Sequence, residues 1–469
     1  MKYFSTQPSN RIDIHSSLKH STSAGDPLNR VKSTQETLSY IGPISEKIGV
    51  TRVSEITFMD RLYIPNYSVV LPGTEDRIWV YNGKGTTRDD AKVSALMEAI
   101  ERHSALPSIY NKRIVRGTYS ELSNSYGRVL HPAEVVEPVC SQYDEKRTIM
   151  DFLPAFDLMN DEDVLVPAQL ALYGYSPKYP SVSIFPYFHT NGLASGNILE
   201  EAICHALCEL IERDAVSIAD LCTSTIPFNI LEKIRESLEE TRMSDVVNIE
   251  NKFVDDMSIY PDVDSLELVT QFKEMKRLID RFTFCNIPLF LKDITQKDIG
   301  IPTFMASSVE WITPDYGYFA KGYGTHPDSR IASARAITEL SQTRAANIHG
   351  ARDDLKKIRY NLNDELYKRR WQFVLTKSAK NRKYSENKTV KMNEIKTFVN
   401  NDILEDINFI LSRLKKAGLK RAIIVDLTNP IIGIPVVRAI IPGLETFEVT
   451  NSIIGERAVN AFRRIHRSY

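Results

Sequence analysis

Two acidic segments of the chain share a frame, Glu98-Ala-Ile-Glu101-Arg102 and Glu209-Leu-Ile-Glu212-Arg213. Upstream of each stand alanines at matching positions, Ala91 and Ala95 before the first, Ala202 and Ala206 before the second. Ala332, Ala336, Glu339 and Gln342 repeat the spacing a third time. Positions three and four apart lie on one face of a helix, so each copy presents small alanines beside two acidic or amide groups. A solvated amphipathic face would account for one such copy. Three with the same alanine spacing argue instead that close packing draws the carboxylates into a shared cleft. Carboxylates gathered away from water do not all ionise unless a cation compensates them. All-oxygen ligands select a hard ion, Mg²⁺ foremost, and Mg²⁺ commonly bridges protein carboxylates to substrate phosphates.

Glycines precede each copy: Gly83-Lys84-Gly85-Thr86-Thr87, Gly192-Leu-Ala-Ser-Gly196-Asn197 and Gly322-Tyr-Gly324-Thr-His326. Read as loops at helix N-termini, they offer free amide donors and a positive dipole end to phosphate oxygens, to which Lys84 and Arg102 add charge. Any one of these loops could equally be a plain turn. Gly83-Lys84 is not a P-loop, because no glycine stands upstream at the required spacing and Gly85 follows where Ser or Thr should.

Elements must hold these residues in place. β-rich runs such as Trp79-Val80-Tyr81, Val164-Leu165-Val166 and Ala422 to Val425 alternate with long helical patterns, which predicts a mixed α/β fold (α+β mixed). The 469 residues suffice for one large domain or several smaller ones. Residues 1–28 are polar and aperiodic and are expected to form a flexible arm, with one domain over 29–469. Charged, variable insertions are expected near 227–262 and 353–405.

With 59 Lys and Arg against 60 Asp and Glu, net charge proposes no nucleic-acid or acidic-membrane partner. No run approaches the roughly 20 apolar residues of a membrane span, and the first residues lack an apolar secretory core, so a cytoplasmic enzyme is expected. The five cysteines are scattered without a CxxC pair, which argues against a disulfide framework or a structural zinc site. Cys204 and Cys208, one helical turn apart, are read as buried packing residues in preference to sulfur carriers. His326, beside Asp328, could act as acid or base or only make a structural hydrogen bond.

These segments resemble the YcaO superfamily. Gly83 to Ser104 is similar to its first block, Asn191 to Asp214 to its second, and Glu339-x2-Gln342-x-Arg344 to its third. Asp426-Leu427-Thr428 and Ile441-Pro-Gly-Leu-Glu445 are similar to its C-terminal part. The resemblance implies a YcaO fold with an ATP and Mg²⁺ cleft lined by the three related acidic helices. It further implies Glu98, Glu101, Glu201, Glu209 and Glu212 as Mg²⁺ ligands, with Lys84, Ser94, Arg102, Asn197, Arg213, Gln342 and Arg344 as nucleotide contacts. Members of the family use ATP to phosphorylate a backbone amide oxygen. A neighbouring Cys, Ser or Thr then leads to an azoline, sulfide to a thioamide and an amine to an amidine.

The chain ends Arg463-Arg-Ile-His-Arg-Ser-Tyr469, without the proline-rich tail usual among azoline formers. Together with the stretches Thr34-x-x-Thr37-Leu38 and Gly49 to Val53, this resembles the stand-alone YcaO proteins of methanogenic archaea, implicated in thioglycine formation on the α subunit of methyl-coenzyme M reductase. The expected substrate is a peptide or protein, a TfuA-like partner for sulfide delivery is admitted, and so is a homodimer. Azoline formation on a ribosomal peptide is the alternative, followed by a non-catalytic role in ribosomal-protein modification. No general base is identified.

Overall fold

The computed structural model describes residues 11–20, 29–72, 78–110, 113–186, 188–223, 259–264, 273–313, 316–350, 389–446 and 453–466. Most of the two expected insertions lies outside these residues. In chain order the elements begin with α1 (Thr34–Lys47), β1 (Arg52–Glu55), β2 (Asn66–Pro72), β3 (Ile78–Lys84) and α2 (Arg88–Ser104). Then come β4 (Val115–Gly117), α3 (Tyr119–Tyr126), β5 (Met150–Asp157), β6 (Glu162–Pro167), α4 (Ala168–Ala171), β7 (Leu193–Ser195) and α5 (Leu199–Thr223). The remainder comprises β8 (Asp262–Val263), α6 (Lys273–Phe284), β9 (Phe290–Asp293), β10 (Thr303–Thr313), β11 (Tyr316–Thr325) and α7 (Ser329–His349). The last are β12 (Thr389–Val390), α8 (Ile403–Lys416), β13 (Ile423–Asp426), β14 (Val436–Ile440) and α9 (Glu456–His466). The mixed α/β class expected from the sequence is what the chain adopts.

The chain divides into two compact units, the first built from Met1–Ser33, Ile100–Arg213 and Asn400–Gly455. Its sheet runs β4-β5-β13-β14-β7, with β6 paired to β5. Every position of β14 and nearly every position of β5 is buried, so neither strand shows an alternating burial pattern, and the charged Asp151, Asp157 and Arg438 are buried with them. Phe152, Leu153, Val166, Ile423, Val425 and Val436 anchor the core. The described part of the 1–28 arm belongs here too: Ile12 is buried, and Lys19 Nζ lies 2.6 Å from Asp406 with both side chains almost wholly enclosed.

The second unit comprises Thr34–Ala99, Asp214–Val399 and Glu456–Tyr469. It holds an antiparallel sheet β1-β2-β3 and a five-stranded sheet β11-β10-β9-β8-β12. Helix α7 packs on β11, β10 and β3. Its N-terminus is capped by Asp328, whose carboxylate accepts the Arg330 N–H at 2.9 Å, and its C-terminus closes on Gly350 in the left-handed region.

All six repeat alanines, Ala91, Ala95, Ala202, Ala206, Ala332 and Ala336, are fully buried. Glycines explain much of this. Gly83 belongs to β3, and Gly322 and Gly324 belong to β11, so they are strand residues and not phosphate loops. A Cβ on Gly83 would stand 2.1 Å from the Ala95 nitrogen, one on Gly322 2.0 Å from the Leu340 nitrogen and one on Gly324 2.1 Å from the Ala332 oxygen. The recurring Gly and Ala spacing therefore encodes strand backbone laid directly on helix backbone, a contact that only side chains of this size permit. The phosphate seats expected at Gly83, Gly322 and Gly324 are corrected accordingly.

Candidate functional site

Unit 1 gathers most of the acidic candidates. Glu101, near the end of α2, is buried, lies 2.9 Å from Arg102 and accepts the Ser195 hydroxyl at 3.4 Å. Glu212 on α5 is buried and lies 3.2 Å from Arg213. Glu209, one turn earlier, accepts the Gly192 N–H; burial raises its carboxyl above the usual range, and Arg213, Arg102 and Arg438 oppose that rise without cancelling it. Gly192 itself adopts φ 77°, and a Cβ there would stand 2.5 Å from the Ala439 oxygen, so only glycine brings this N–H to Glu209.

Glu201 is nearly fully buried, and its carboxylate is engaged on both oxygens. Oε1 accepts the Val31 N–H at 2.6 Å, while Oε2 accepts the Asn197 N–H at 2.8 Å and its Nδ2 at 3.1 Å. Its neighbour Glu200 accepts the His15 N–H at 2.7 Å. Backbone from the first 33 residues therefore reaches the start of α5, a connection with no local sequence signal.

In unit 2, Ser94 and Glu98 sit half-buried on α2. Lys84 pairs with Glu339, whose other oxygen accepts the Tyr323 N–H at 3.2 Å, and Gln342 Nε2 donates to the Asn82 carbonyl at 2.5 Å. Arg344, expected as a nucleotide contact, has carboxylate partners within unit 2. Only 1% exposed, it donates from Nε and Nη2 to the two Asp60 oxygens at 2.7 and 2.9 Å, and from Nη2 to Glu310 at 2.8 Å. Its Nε and Nη2 are thus held by carboxylates of the same unit, as a buried charge requires pairing. His326 likewise has a structural hydrogen bond, its Nδ1 accepting the Asp328 N–H at 2.9 Å. Cys204 and Cys208 are buried, as packing predicts.

Reasoning from the sequence missed Arg438, His189 and Glu137. Arg438 is 5% exposed in the middle of β14, and burial brings its guanidinium down to about 10 against the pull of Glu209, with Arg102 reinforcing the shift and Glu137 and Glu101 opposing it. The signal was present: a single arginine inside the apolar run Val436-Val-Arg-Ala-Ile440 has to be paired or functional. His189 Nε2 donates to Glu137 at 2.6 Å, and its Nδ1 accepts from Arg438 Nη2 at 3.3 Å and from the Asn191 N–H at 3.2 Å.

Chemically, unit 1 holds the carboxylates of Glu101, Glu209 and Glu212 near arginines, and burial raises the Glu209 carboxyl despite Arg213, Arg102 and Arg438. Hard oxygen donors of this kind fit Mg²⁺. Among the described residues, no helix is long and apolar enough to cross a membrane.

Comparison with known proteins agrees. A family profile described as YcaO cyclodehydratase, binding ATP and Mg²⁺, matches residues 82–445. A protein of Methanothermobacter thermautotrophicus is 33% identical over 90% of this chain and 96% of its own length. A Rhizobium leguminosarum protein, named for its position in the tfuA 3′ region, is 28% identical over 95% of this chain and 96% of its own. Among solved structures, a heterocyclase in complex with substrate and cofactor superposes with a TM-score of 0.68 at 21% identity, covering 93% of this chain. This chain spans only 55% of that heterocyclase. YcaO from Methanopyrus kandleri, bound with AMPPCP and Mg²⁺, superposes at 0.58 with 23% identity over 91% of this chain and 95% of its own. At these identities the two structures speak to the fold. With matching blocks through most of its length, the chain belongs to the YcaO family, whose cofactors are ATP and Mg²⁺.

Proposed function

We propose that this protein activates a peptide backbone amide with ATP and directs sulfide onto it, forming a thioamide, with thioglycine in the methyl-coenzyme M reductase α subunit as the product that the methanogen relationship favours. The observation that carries amide activation is the set of acidic residues Glu101, Glu209 and Glu212 that unit 1 places on α2 and α5, in a chain of this ATP- and Mg²⁺-binding family. For sulfide, support comes from the relative named for the tfuA region, which also motivates a TfuA-like partner.

In this reading Glu101, Glu209 and Glu212 hold Mg²⁺ in unit 1, with Arg102, Asn197 and Arg213 on nucleotide oxygens. Glu201 joins the metal ligands if Val31 and Asn197 release it. In unit 2, Glu98 remains a candidate for metal, and Lys84, Ser94, Gln342 and Arg344 for nucleotide. When bound, ATP supplies the phosphoryl group that makes the amide oxygen a leaving group. Hydrosulfide adds to the amide carbon, the carbon–oxygen bond breaks with release of inorganic phosphate, and a carbon–sulfur double bond remains. The residues named contribute positioning and charge neutralisation.

The test incubates the protein with ATP, sulfide and a glycine-containing peptide, followed by mass spectrometry. Exchange of oxygen for sulfur is expected. Loss of water without sulfide would instead support azoline formation, the second reading, which the family's cyclodehydratase description favours. Neither mass change across substrate peptides would overturn amide activation.

A further inference from the structure

A pocket in unit 1 is lined by Asn191 and Arg438, by the charged Glu137, Arg213 and Glu445, and by an apolar wall that includes Leu210 and Leu444. Arg438 is 5% exposed and Asn191 6%. Among the described residues, Arg438 Nε and Asn191 Nδ2 have no hydrogen-bond acceptor. Buried donors are nearly always satisfied, so two left open at one pocket indicate what it is built to receive.

The surroundings narrow the ligand. His189 cannot serve these nitrogens, since its Nδ1 already accepts from Arg438 Nη2 and the Asn191 backbone while its Nε2 is held by Glu137. That arrangement also locks the orientation of the guanidinium, leaving Nε for something else. Glu209, Glu137 and Glu101 already offset the charge of Arg438, with Arg102 opposing them, so no further anion is required to balance it. A neutral group that only accepts, flanked by apolar surface, satisfies both donors and the wall. A peptide carbonyl is such a group.

We propose that this pocket seats a backbone carbonyl oxygen of the peptide substrate between Arg438 Nε and Asn191 Nδ2, with uncharged peptide against the leucines. The choice of a peptide among neutral carbonyl compounds rests on the amide-activation reading above; the acceptor seat does not.

Crystals of the full chain soaked in N-methylacetamide, and separately in bromide, decide the seat. The carbonyl oxygen is expected within hydrogen-bond distance of both nitrogens in the wild type and absent from Asn191→Leu. Bromide in that position, or water alone in both soaks, overturns the proposal. In the peptide, ATP and sulfide assay, Asn191→Leu is expected to raise KM for peptide about tenfold and leave Mg-ATP affinity within about twofold. A fall in Mg-ATP affinity with unchanged peptide KM would assign the donors to the nucleotide instead. If no peptide undergoes either mass change, the function reading fails while the soak still decides the seat.

Discussion

Arg344 and Asp60 form a two-point ion pair in the interior of unit 2, at 2.7 and 2.9 Å, with both side chains at least 97% enclosed. Breaking such a pair from one side leaves a stranded charge and costs about 3–5 kcal/mol. Asp60→Asn and Arg344→Ala are therefore expected to lose comparable stability in denaturant titrations. Asp60→Asn carries the decision about role: a large loss of stability with unchanged Mg-ATP affinity in the folded fraction supports a structural Arg344. A selective loss of Mg-ATP affinity with wild-type stability would assign Arg344 to the nucleotide.

Gly322 meets α7 at backbone distance. Gly322→Ala and Gly83→Ala must push strand from helix, and overpacking of this kind costs about 1–3 kcal/mol, occasionally more. Thermal unfolding should show a lowered Tm for each, whereas Gly127→Ala, where an added Cβ meets nothing, is limited to the cost of its positive φ. An unchanged Tm in Gly322→Ala would contradict the close contact.

Glu209 has a folded-state pKa raised first by burial, so folding favours its neutral form. Its contribution to stability is present below the unfolded value and is lost as pH rises through the folded value. Binding Mg²⁺ requires the carboxylate, so Mg²⁺ affinity should increase with pH and binding should release a proton. Calorimetry in two buffers of different ionisation enthalpy measures that release; none from the wild type would count against Glu209 as a ligand.

Glu209→Gln removes the charge while keeping the shape. Mg²⁺-dependent ATP turnover should fall roughly 100-fold or more, with stability equal to or above that of the wild type. Glu98→Gln and Glu212→Gln are expected to lose turnover as well. Full turnover in all three would remove the basis for these glutamates as metal ligands.

Asp151 behaves in the opposite sense to Glu209. Burial raises its pKa, but Arg116, Tyr175 and Ser181 outweigh that and hold the carboxylate below its ordinary 3.8. The bonds are short: Arg116 Nε at 2.8 Å, Tyr175 Oη at 2.5 Å and Ser181 Oγ at 2.7 Å. A depressed acid stabilises above its unfolded pKa, and that stability is lost as pH falls through the folded value. Equilibrium unfolding from pH 5 downward should show a decline that is shallower in Asp151→Asn.

The three acidic helices, their alanines and the mixed α/β class were legible from the chain alone, because helical spacing and strand composition are local properties. So was the family, through blocks that stand intact in sequence. The meaning of the glycines was not: Gly83 and Gly322 read as loops until strand and helix were seen in contact, and close approach depends on which backbones meet. Nor could sequence tell Arg213 from Arg344, two arginines in similar motifs. One stands beside Glu212 and Glu209, and the other faces Asp60, 284 positions away in sequence. Burial and partner decide what a charge does, and both are set only when distant segments pack together. The partners of Arg438, and the His189–Glu137 pair, were likewise visible only once β14 lay against the strand and loop that precede α5.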